Sequence, residues 1–198
     1  MRRHAAFVVR CFPLALLIAG SALAQTPPAA PAAAKLSADE CAVWAREMSF
    51  AQSVADHDAA AFAAHLHPDA AFGASRAEPT RGRDAIARRW AGIVEGKAVG
   101  LEWYPTRTTI GAGGAVDAAA AAAGGAGDVA WSSGPSLLED RDPATKQRYS
   151  IGGFHSVWLR GGDGVWRVLF DDGIEQKPAT DAEVAAFRAA RPSACPKA

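Results

Sequence analysis

Hydrophobic and polar positions change their period about halfway along the chain. In the first half, apolar side chains recur at spacings of three and four residues, the period of a helix with one buried face. A Ser-Ala-Asp-Glu capping box at 37–40 predicts a helix over 38–56. Asp58 is placed to cap a second, short helix over 59–66, and residues 83–95 carry the same period. The pattern therefore predicts that three helices open the folded domain.

The second half alternates apolar and polar residues, which is the period of a half-buried strand. The predicted strands cover 99–110, 129–138, 149–160 and 165–171, after a short strand at 70–72. The Gly-Gly-Asp-Gly segment at 161–164 predicts a hairpin turn. A second capping box begins at Thr180 and predicts a last helix that ends near Ala190. Helices followed by an antiparallel sheet indicate an α+β fold, in which a curled sheet closed by helices forms a cone with one pocket.

The first 24 residues have the pattern of a secretory signal peptide. Arg2 and Arg3 precede an apolar run over 12–23, and Ala22-Leu23-Ala24 fits a cleavage site after Ala24. The alternative is an uncleaved membrane anchor, which needs a longer apolar run. We therefore expect an exported protein, periplasmic or secreted, that is not held in a membrane once the signal is cleaved.

Cleavage would remove Cys11 and leave two cysteines near the ends of the mature chain. A pair such as Cys41 and Cys195 in an oxidising compartment predicts a disulfide, and two free thiols are the alternative. The spacing of these cysteines, and of His57, His65 and His67, does not fit a metal site. We expect neither a metal nor a cofactor.

The organisation of the chain follows from its composition. A Pro/Ala-rich linker over 25–36 leads into a domain at 37–177, which carries a Gly/Ala loop insertion at 111–127, and a C-terminal helix and tail fill 178–198.

Basic and acidic side chains are equal in number at 21 each, and loss of the signal's arginines leaves a small acidic excess. This balance argues against a nucleic-acid surface, which needs a basic excess.

Four stretches carry a resemblance to a known family. They are His-Pro-Asp-Ala-Ala-Phe at 67–72, Gly-Arg-Asp-Ala-Ile at 82–86, Gly-Asp-Val-Ala-Trp-Ser-Ser-Gly at 127–134, and Gly-Phe-His-Ser-Val-Trp at 153–158 with the hairpin strand that follows. In this order the chain resembles the nuclear transport factor 2-like superfamily, which includes SnoaL-like polyketide cyclases and ketosteroid isomerases, and above all its branch of uncharacterised bacterial domains. The resemblance implies a cystatin-like cone: a strongly curved antiparallel sheet capped by N-terminal helices, around an apolar pocket. It does not imply one chemistry.

The residues of the ketosteroid isomerase reaction do not carry over to this chain. That reaction uses a carboxylate base with a tyrosine and a protonated aspartate as hydrogen-bond donors. The corresponding positions hold Phe50, Ala74 and His155. We therefore do not expect this reaction by that mechanism.

Two other residues are candidates for acid–base chemistry. His155 lies in an otherwise apolar strand and would face the pocket as a base or hydrogen-bond partner, although a core histidine is the alternative. Strict alternation places Asp172 on the apolar face of the last strand with Phe170, and Asp171 on the opposite face. Asp172 could then orient His155, unless both aspartates only accept backbone hydrogen bonds. The candidate ligand-binding residues are Phe50, Trp90, Trp103, Trp131, His155 and Phe170.

Three functions fit these expectations. The first is an exported binding domain that holds a small apolar or aromatic ligand in an aromatic-lined pocket. The second is an isomerase, cyclase or dehydratase that uses His155 with a carboxylate. The third is an assembly module that forms a homodimer through its sheet face, as relatives in the superfamily do.

Overall fold

The computed structural model describes residues 35–111 and 129–197. The predicted signal peptide, most of the linker, and the Gly/Ala loop beyond Gly111 lie outside the described residues. Across the part that is described, no helix is both long and apolar enough to cross a membrane.

Within the described residues four helices form where the sequence predicts them, three of them at side-chain caps and the third along the chain after Gly82, which has no capping side chain. They are α1 (Ala38–Ala55), α2 (Ala59–Ala64), α3 (Arg83–Glu95) and α4 (Asp181–Ala189). Both capping boxes are present: the hydroxyls of Ser37 and Thr180 accept from backbone N–H groups three residues on, and Glu40 and Glu183 accept in return. Asp58 caps α2 through the N–H of Ala61. These polar contacts satisfy the N–H groups that the first turn of a helix leaves unpaired.

Seven strands form one curled sheet against which the helices pack, so the predicted α+β cone is confirmed. The strands are β1 (Leu66–Phe72), β2 (Thr80–Arg81), β3 (Val99–Trp103), β4 (Arg107–Ile110), β5 (Val129–Asp140), β6 (Tyr149–Arg160) and β7 (Trp166–Pro178). Their order is β2-β1-β7-β6-β5-β3, with β4 also paired to β5. All pairs are antiparallel except β1 with β7, which is parallel. The sheet is therefore mixed at this one pair.

Two strands extend by four or more residues beyond their predicted bounds. β1 begins at Leu66, rather than at residue 70, because Leu66 already pairs with Val168 and Ala71 pairs with Phe170. The register between these two pairs is irregular, and Pro68, which has no N–H to donate, lies within that stretch. β7 continues to Pro178, which pairs with Ser150 on β6.

The predicted strand over 99–110 is two strands, divided at Pro105. Trp103 pairs with Ser136 and Arg107 pairs with Ser133, so three residues oppose two on β5. Pro105 cannot donate to the ladder and stands where the pairing breaks. The division turns Tyr104 toward α4, where its hydroxyl donates to the carbonyl oxygen of Phe187 at 2.9 Å.

A bulge in β7 changes which side chains face the interior. Trp158 on β6 pairs with Val168, but the preceding residue, Val157, pairs with Phe170. Leu169 is therefore an extra residue with no partner on β6, and the alternation of faces shifts by one beyond it. Phe170, which strict alternation places on the apolar face of this strand, is 40% exposed, so that prediction is wrong.

The same bulge exchanges the faces of the sheet on which Asp171 and Asp172 lie. Asp171 pairs with Ser156, which is fully buried, and so faces the interior. Asp172 pairs with His155 on the opposite face. The expectation that Asp172 lies on the apolar face and Asp171 opposite it is therefore wrong, because strict alternation does not hold across a bulge.

The core fills the concave side of the sheet and is rich in aromatic rings. Phe50 from α1 lies at its centre, 5.3 Å from the ring centroids of both Phe62 and Trp103. Phe50, Phe62, Trp103 and Trp166 are all buried, and Trp90 is half-buried against this core. A dense aromatic core of this kind fixes α1 and α3 over the sheet.

The C-terminal helix packs in a small core of its own, and a disulfide links the tail that follows it to α1. The rings of Phe187 and Tyr104 pack at a tilt with centroids 4.9 Å apart, and Arg188 pairs with Glu102 at 2.6 Å. Cys41 at the start of α1 and Cys195 beyond α4 form a disulfide, with Cα atoms 5.7 Å apart. The predicted disulfide is confirmed.

Candidate functional site

A cavity of about 660 Å³ lies between α3, the loop after β1 and the concave side of the sheet. Its walls are mostly apolar. They include the aromatic rings of Phe50, Phe72, Trp90, Trp103 and Phe154 and the aliphatic side chains of Ile93, Leu101 and Leu138. The volume and the aromatic walls suit a drug-sized organic molecule.

Three of the residues predicted to bind a ligand line this cavity and three do not. Phe50, Trp90 and Trp103 contribute to its walls. Trp131 and Phe170 are 41% and 40% exposed and lie on the outer face of the sheet with His155. The sequence therefore predicted the aromatic residues from α1, α3 and β3 correctly as neighbours of one pocket, and placed those of β5, β6 and β7 on the wrong face.

His155 lies outside the cavity because its neighbours face inward. Phe154, Ser156 and Trp158 are buried on the concave side, so His155 between them points to the outer face. The expectation of an inward-facing histidine is wrong. His155 and Asp172 do lie together, as cross-strand neighbours, on that outer face.

Asp172 is buried by the loop that follows β1. The backbone N–H of Ser75 donates to Oδ2 of Asp172 at 2.7 Å, which ties this loop to β7. Burial opposes ionisation, but the hydrogen bonds from Ser75 outweigh it, and the pKa of Asp172 is lowered. Asp172 therefore anchors a wall of the cavity as a carboxylate.

The most buried carboxyl group of the described residues, that of Glu47, is not among the sequence-predicted site residues. Glu47 on α1 has no exposed surface. Its Oε1 accepts from Nε1 of Trp103 at 2.7 Å, and its Oε2 accepts from Oγ of Ser132 at 2.5 Å and from Nε1 of Trp158 at 2.9 Å. Burial raises the pKa of Glu47, and these donors oppose that rise.

Asp171 connects this buried group to the cavity. Oγ of Ser156 donates to Oδ2 of Asp171 at 2.8 Å, and Asp171 itself lines the cavity. Burial, the nearby charge of Glu47 and that of Asp172 raise the pKa of Asp171 to about 7, although the Ser156 hydrogen bond opposes this. The cavity thus has one carboxyl group on its wall that can titrate near neutral pH.

A signal for Glu47 was present in the sequence. Glu47 lies four residues after Val43 and three before Phe50, and so occupies the apolar face of α1. A carboxylate at such a position needs partners inside the fold. The partners themselves could not be predicted, because Trp103, Ser132 and Trp158 follow Glu47 by 56, 85 and 111 residues.

The remaining polar side chains at the cavity are balanced in charge. Arg76 and Arg89 line it together with Glu78 and Glu175. Within residues 35–111 and 129–197, no cluster of three or more His, Cys, Asp or Glu side chains is suited to a metal ion. The cavity therefore offers apolar walls, mixed surface charges and the Asp171 carboxyl.

Comparison with known proteins identifies the fold. The structure resembles a nuclear transport factor 2-like protein of unknown function from Pseudomonas putida, with a TM-score of 0.52, 17% sequence identity and coverage of 75% of this chain and 98% of that one. It also resembles a ketosteroid isomerase-like protein from Erwinia carotovora, with a TM-score of 0.51, 13% identity and coverage of 71% and 99%. No protein-family model and no curated protein matches the chain. The chain thus has the nuclear transport factor 2-like fold predicted from its motifs.

Proposed function

We propose that this chain is an exported domain that binds a small apolar or aromatic molecule in the cavity between α3 and the sheet. The observation that carries the proposal is the aromatic wall formed by Phe72, Trp90 and Trp103 around about 660 Å³. Aromatic rings in this arrangement offer flat apolar surface to a ligand. Removing that surface from water makes the free energy of binding more favourable. The ligand class is therefore a flat, largely apolar compound.

Export is part of the proposal and has two supports. The first 24 residues carry the arrangement of a signal peptide, with arginines, an apolar run and a small-residue cleavage site. The Cys41–Cys195 disulfide is a bond that persists in oxidising compartments such as the periplasm.

A matched pair of variants on α3 tests the cavity. Ile93→Glu places a charge on the cavity wall, whereas Ala91→Glu places the same charge on an exposed position of the same helix. The probe is 1-anilinonaphthalene-8-sulfonate, whose fluorescence rises in apolar surroundings. We expect binding to the wild type and to Ala91→Glu, and at least tenfold weaker binding to Ile93→Glu, with thermal unfolding confirming that both variants are folded. Equal binding by all three proteins contradicts the proposal.

A catalytic role for His155 receives little support from this geometry. His155 lies on the outer face, away from the cavity walls, whereas its neighbour Asp172 lines the cavity with its carboxylate held by the N–H of Ser75. An enzyme of this fold needs its acid or base within reach of the bound substrate. Among the carboxyl groups that line the cavity, Asp171 is therefore the better candidate for proton transfer.

We also propose that the outer face of the sheet binds a second copy of the chain. Trp131 on β5, Val157 on β6 and Phe170 on β7 are paired in one row, and Val129 is exposed beside Trp131. A row of exposed apolar side chains is typical of an interface. Sedimentation analysis should give a dimer for the wild type and a monomer for Trp131→Lys, and a monomeric wild type would reject this part of the proposal.

A further inference from the structure

The side chains that line the cavity between α3 and the sheet include more acidic than basic groups. Four carboxyl groups and two guanidinium groups line it: those of Glu78, Asp171, Asp172 and Glu175 against those of Arg76 and Arg89. The apolar walls decide which shape of ligand fits. The excess of carboxyl groups decides which ligand charge is favoured.

The two signs of charge differ in how deeply they lie. Both arginines and both glutamates at the cavity are exposed, so water and salt screen them. Asp172 is only 4% exposed, and the half-buried Asp171 faces the interior, in front of the fully buried Glu47. Across the residues that the structure describes, no lysine or arginine side chain is buried. The inner wall of the cavity is therefore acidic, without a buried basic group to balance it.

Aromatic rings lie beside these carboxyl groups. Phe62 stacks on one side of the Trp90 indole with ring centroids 5.3 Å apart, and the same half-buried indole lines the cavity. Trp103 and Phe154 line it from the sheet, with centroids 6.4 Å apart and planes at 63°. The faces of aromatic rings, and of indoles above all, attract cations. Aromatic walls and carboxylates thus favour the same ligand charge.

We propose that the cavity binds an organic cation, whose positive group lies between the indole rings and the carboxylates of Asp171 and Asp172. This inference rests on the proposed function and narrows its ligand class to flat apolar compounds that carry a positive charge. A quaternary ammonium group suits the site, because it has no N–H to donate and is attracted by ring faces and carboxylates without a fixed hydrogen-bond geometry.

The groups around Asp171 make this carboxyl sensitive to a bound cation. Glu47 faces it from α1, and Asp172 is its neighbour on β7. Asp172 in turn interacts with Arg76 from the loop after β1 and with His155 from β6. Burial and the two neighbouring carboxyl groups oppose ionisation of Asp171. A cation in the cavity acts in the opposite direction and favours the carboxylate.

Binding of the cation should therefore depend on pH. The pKa of Asp171 is raised to about 7, so this carboxyl is neutral below that pH and charged above it. A cation that favours the ionised form about tenfold must, by linkage, bind about tenfold more tightly above this pH than below it. For the same reason its binding releases protons near neutral pH.

Two probes of one shape test the charge. They are phenyltrimethylammonium and tert-butylbenzene, its uncharged isostere, and equilibrium dialysis gives both dissociation constants at about pH 6 and about pH 9. We expect the cation to bind about tenfold more tightly at the higher pH and the hydrocarbon to bind equally at both. Each probe is compared with itself, so the different hydration of the two probes does not enter. Calorimetry of the cation near pH 7, in buffers of different ionisation enthalpy, should show proton release.

Three variants assign the effect to one carboxyl group. Asp171→Asn should abolish the rise in cation affinity with pH and leave the hydrocarbon unchanged. Asp163→Asn makes the same change at an exposed aspartate paired with Arg167 and should keep the rise. His155→Gln should also keep it, because His155 lies on the outer face. Thermal unfolding checks that each variant is folded, and the two wild-type measurements need no variant. A rise that persists in folded Asp171→Asn, or that is lost in His155→Gln, contradicts the inference.

The outcomes separate this inference from the function on which it rests. If the hydrocarbon binds and the cation does not, or if the cation binds equally at both pH values, the inference fails and the apolar cavity remains. If neither probe binds, the proposed function itself fails. The anilinonaphthalene sulfonate probe carries a negative charge, so its binding tests the apolar walls and not the preference for a cation.

Discussion

His65 shows how one buried side chain makes the fold sensitive to acid. Its Nδ1 lies 2.7 Å from the carbonyl oxygen of Ala61, which can only accept, so Nδ1 carries the hydrogen. Its Nε2 is then free to accept from the hydroxyl of Ser49 at 2.5 Å. The side chain is therefore held in its neutral form between α1 and β1. Burial, with the nearby charge of Arg46, lowers the pKa of His65 to about 4.

Loss of stability in mild acid follows from this pKa. Because the pKa of His65 is about 4 in the folded chain and about 6.5 when unfolded, protonation favours the unfolded state. The stabilisation is present above about pH 6.5 and is lost as the pH falls toward 4, with a limit of about 3 kcal/mol. Urea unfolding at several pH values should show a smaller decline for His65→Gln than for the wild type. His67→Gln serves as the control, and an equal decline in wild type and His65→Gln would disprove this account.

Strand irregularities decide which residues meet at the site, and they were the part of the fold hardest to predict. Capping boxes and turn residues are local signals, so all four helices and the 161–164 turn could be read from the sequence. The extra residue Leu169 in β7 depends on pairing with β6, and alternation alone gave the wrong faces for Phe170 and Asp171. The break at Pro105 was visible as a proline, but its effect depends on the register with β5.

Gly134 on β5 lies opposite the break at Pro105, where two backbones approach closely. A Cβ at Gly134 would overlap the carbonyl oxygen of Tyr104, because the backbones of β5 and the β3–β4 connection approach closely there. Gly134→Ala should therefore lower the free energy of unfolding by about 1–3 kcal/mol, the range for overpacking. Gly162→Ala is the matched control, since a Cβ there has no neighbour within 4 Å. Equal stability of the two variants in urea would show that the close approach relaxes without cost.

At the scale of the whole molecule, a disulfide joins the tail beyond α4 to α1. Cys41 and Cys195 are 154 residues apart in sequence, and the bond holds the tail beyond α4 against the start of α1. The sequence predicted this pairing because only two cysteines follow the predicted signal peptide. The predicted order of helices and strands was also sufficient to identify the cone. The positions of the buried carboxyl groups of Glu47 and Asp171 could not be predicted, because these residues come together only after folding.

Removal of this bond should destabilise the fold mainly by freeing the unfolded chain. The chain-entropy estimate for a loop of this length has an upper limit of about 5 kcal/mol. The double variant Cys41→Ser/Cys195→Ser should unfold at lower urea than the oxidised wild type, and reductant should lower the wild type to a similar midpoint. Reductant should have no effect on the double variant. A wild type that is equally stable with and without reductant would show that the disulfide does not contribute to stability.

Native mass spectrometry of the purified protein tests the central claim, that the aromatic cavity holds a small apolar molecule. The wild type and Ile93→Glu should be purified without organic solvent, and their masses measured intact and again after denaturation. We predict that the folded wild type carries an additional low-mass compound, that denaturation releases it, and that Ile93→Glu carries much less of it. A wild type whose native mass equals that of the mature polypeptide, or a compound retained equally by the folded Ile93→Glu variant, would contradict binding in this cavity.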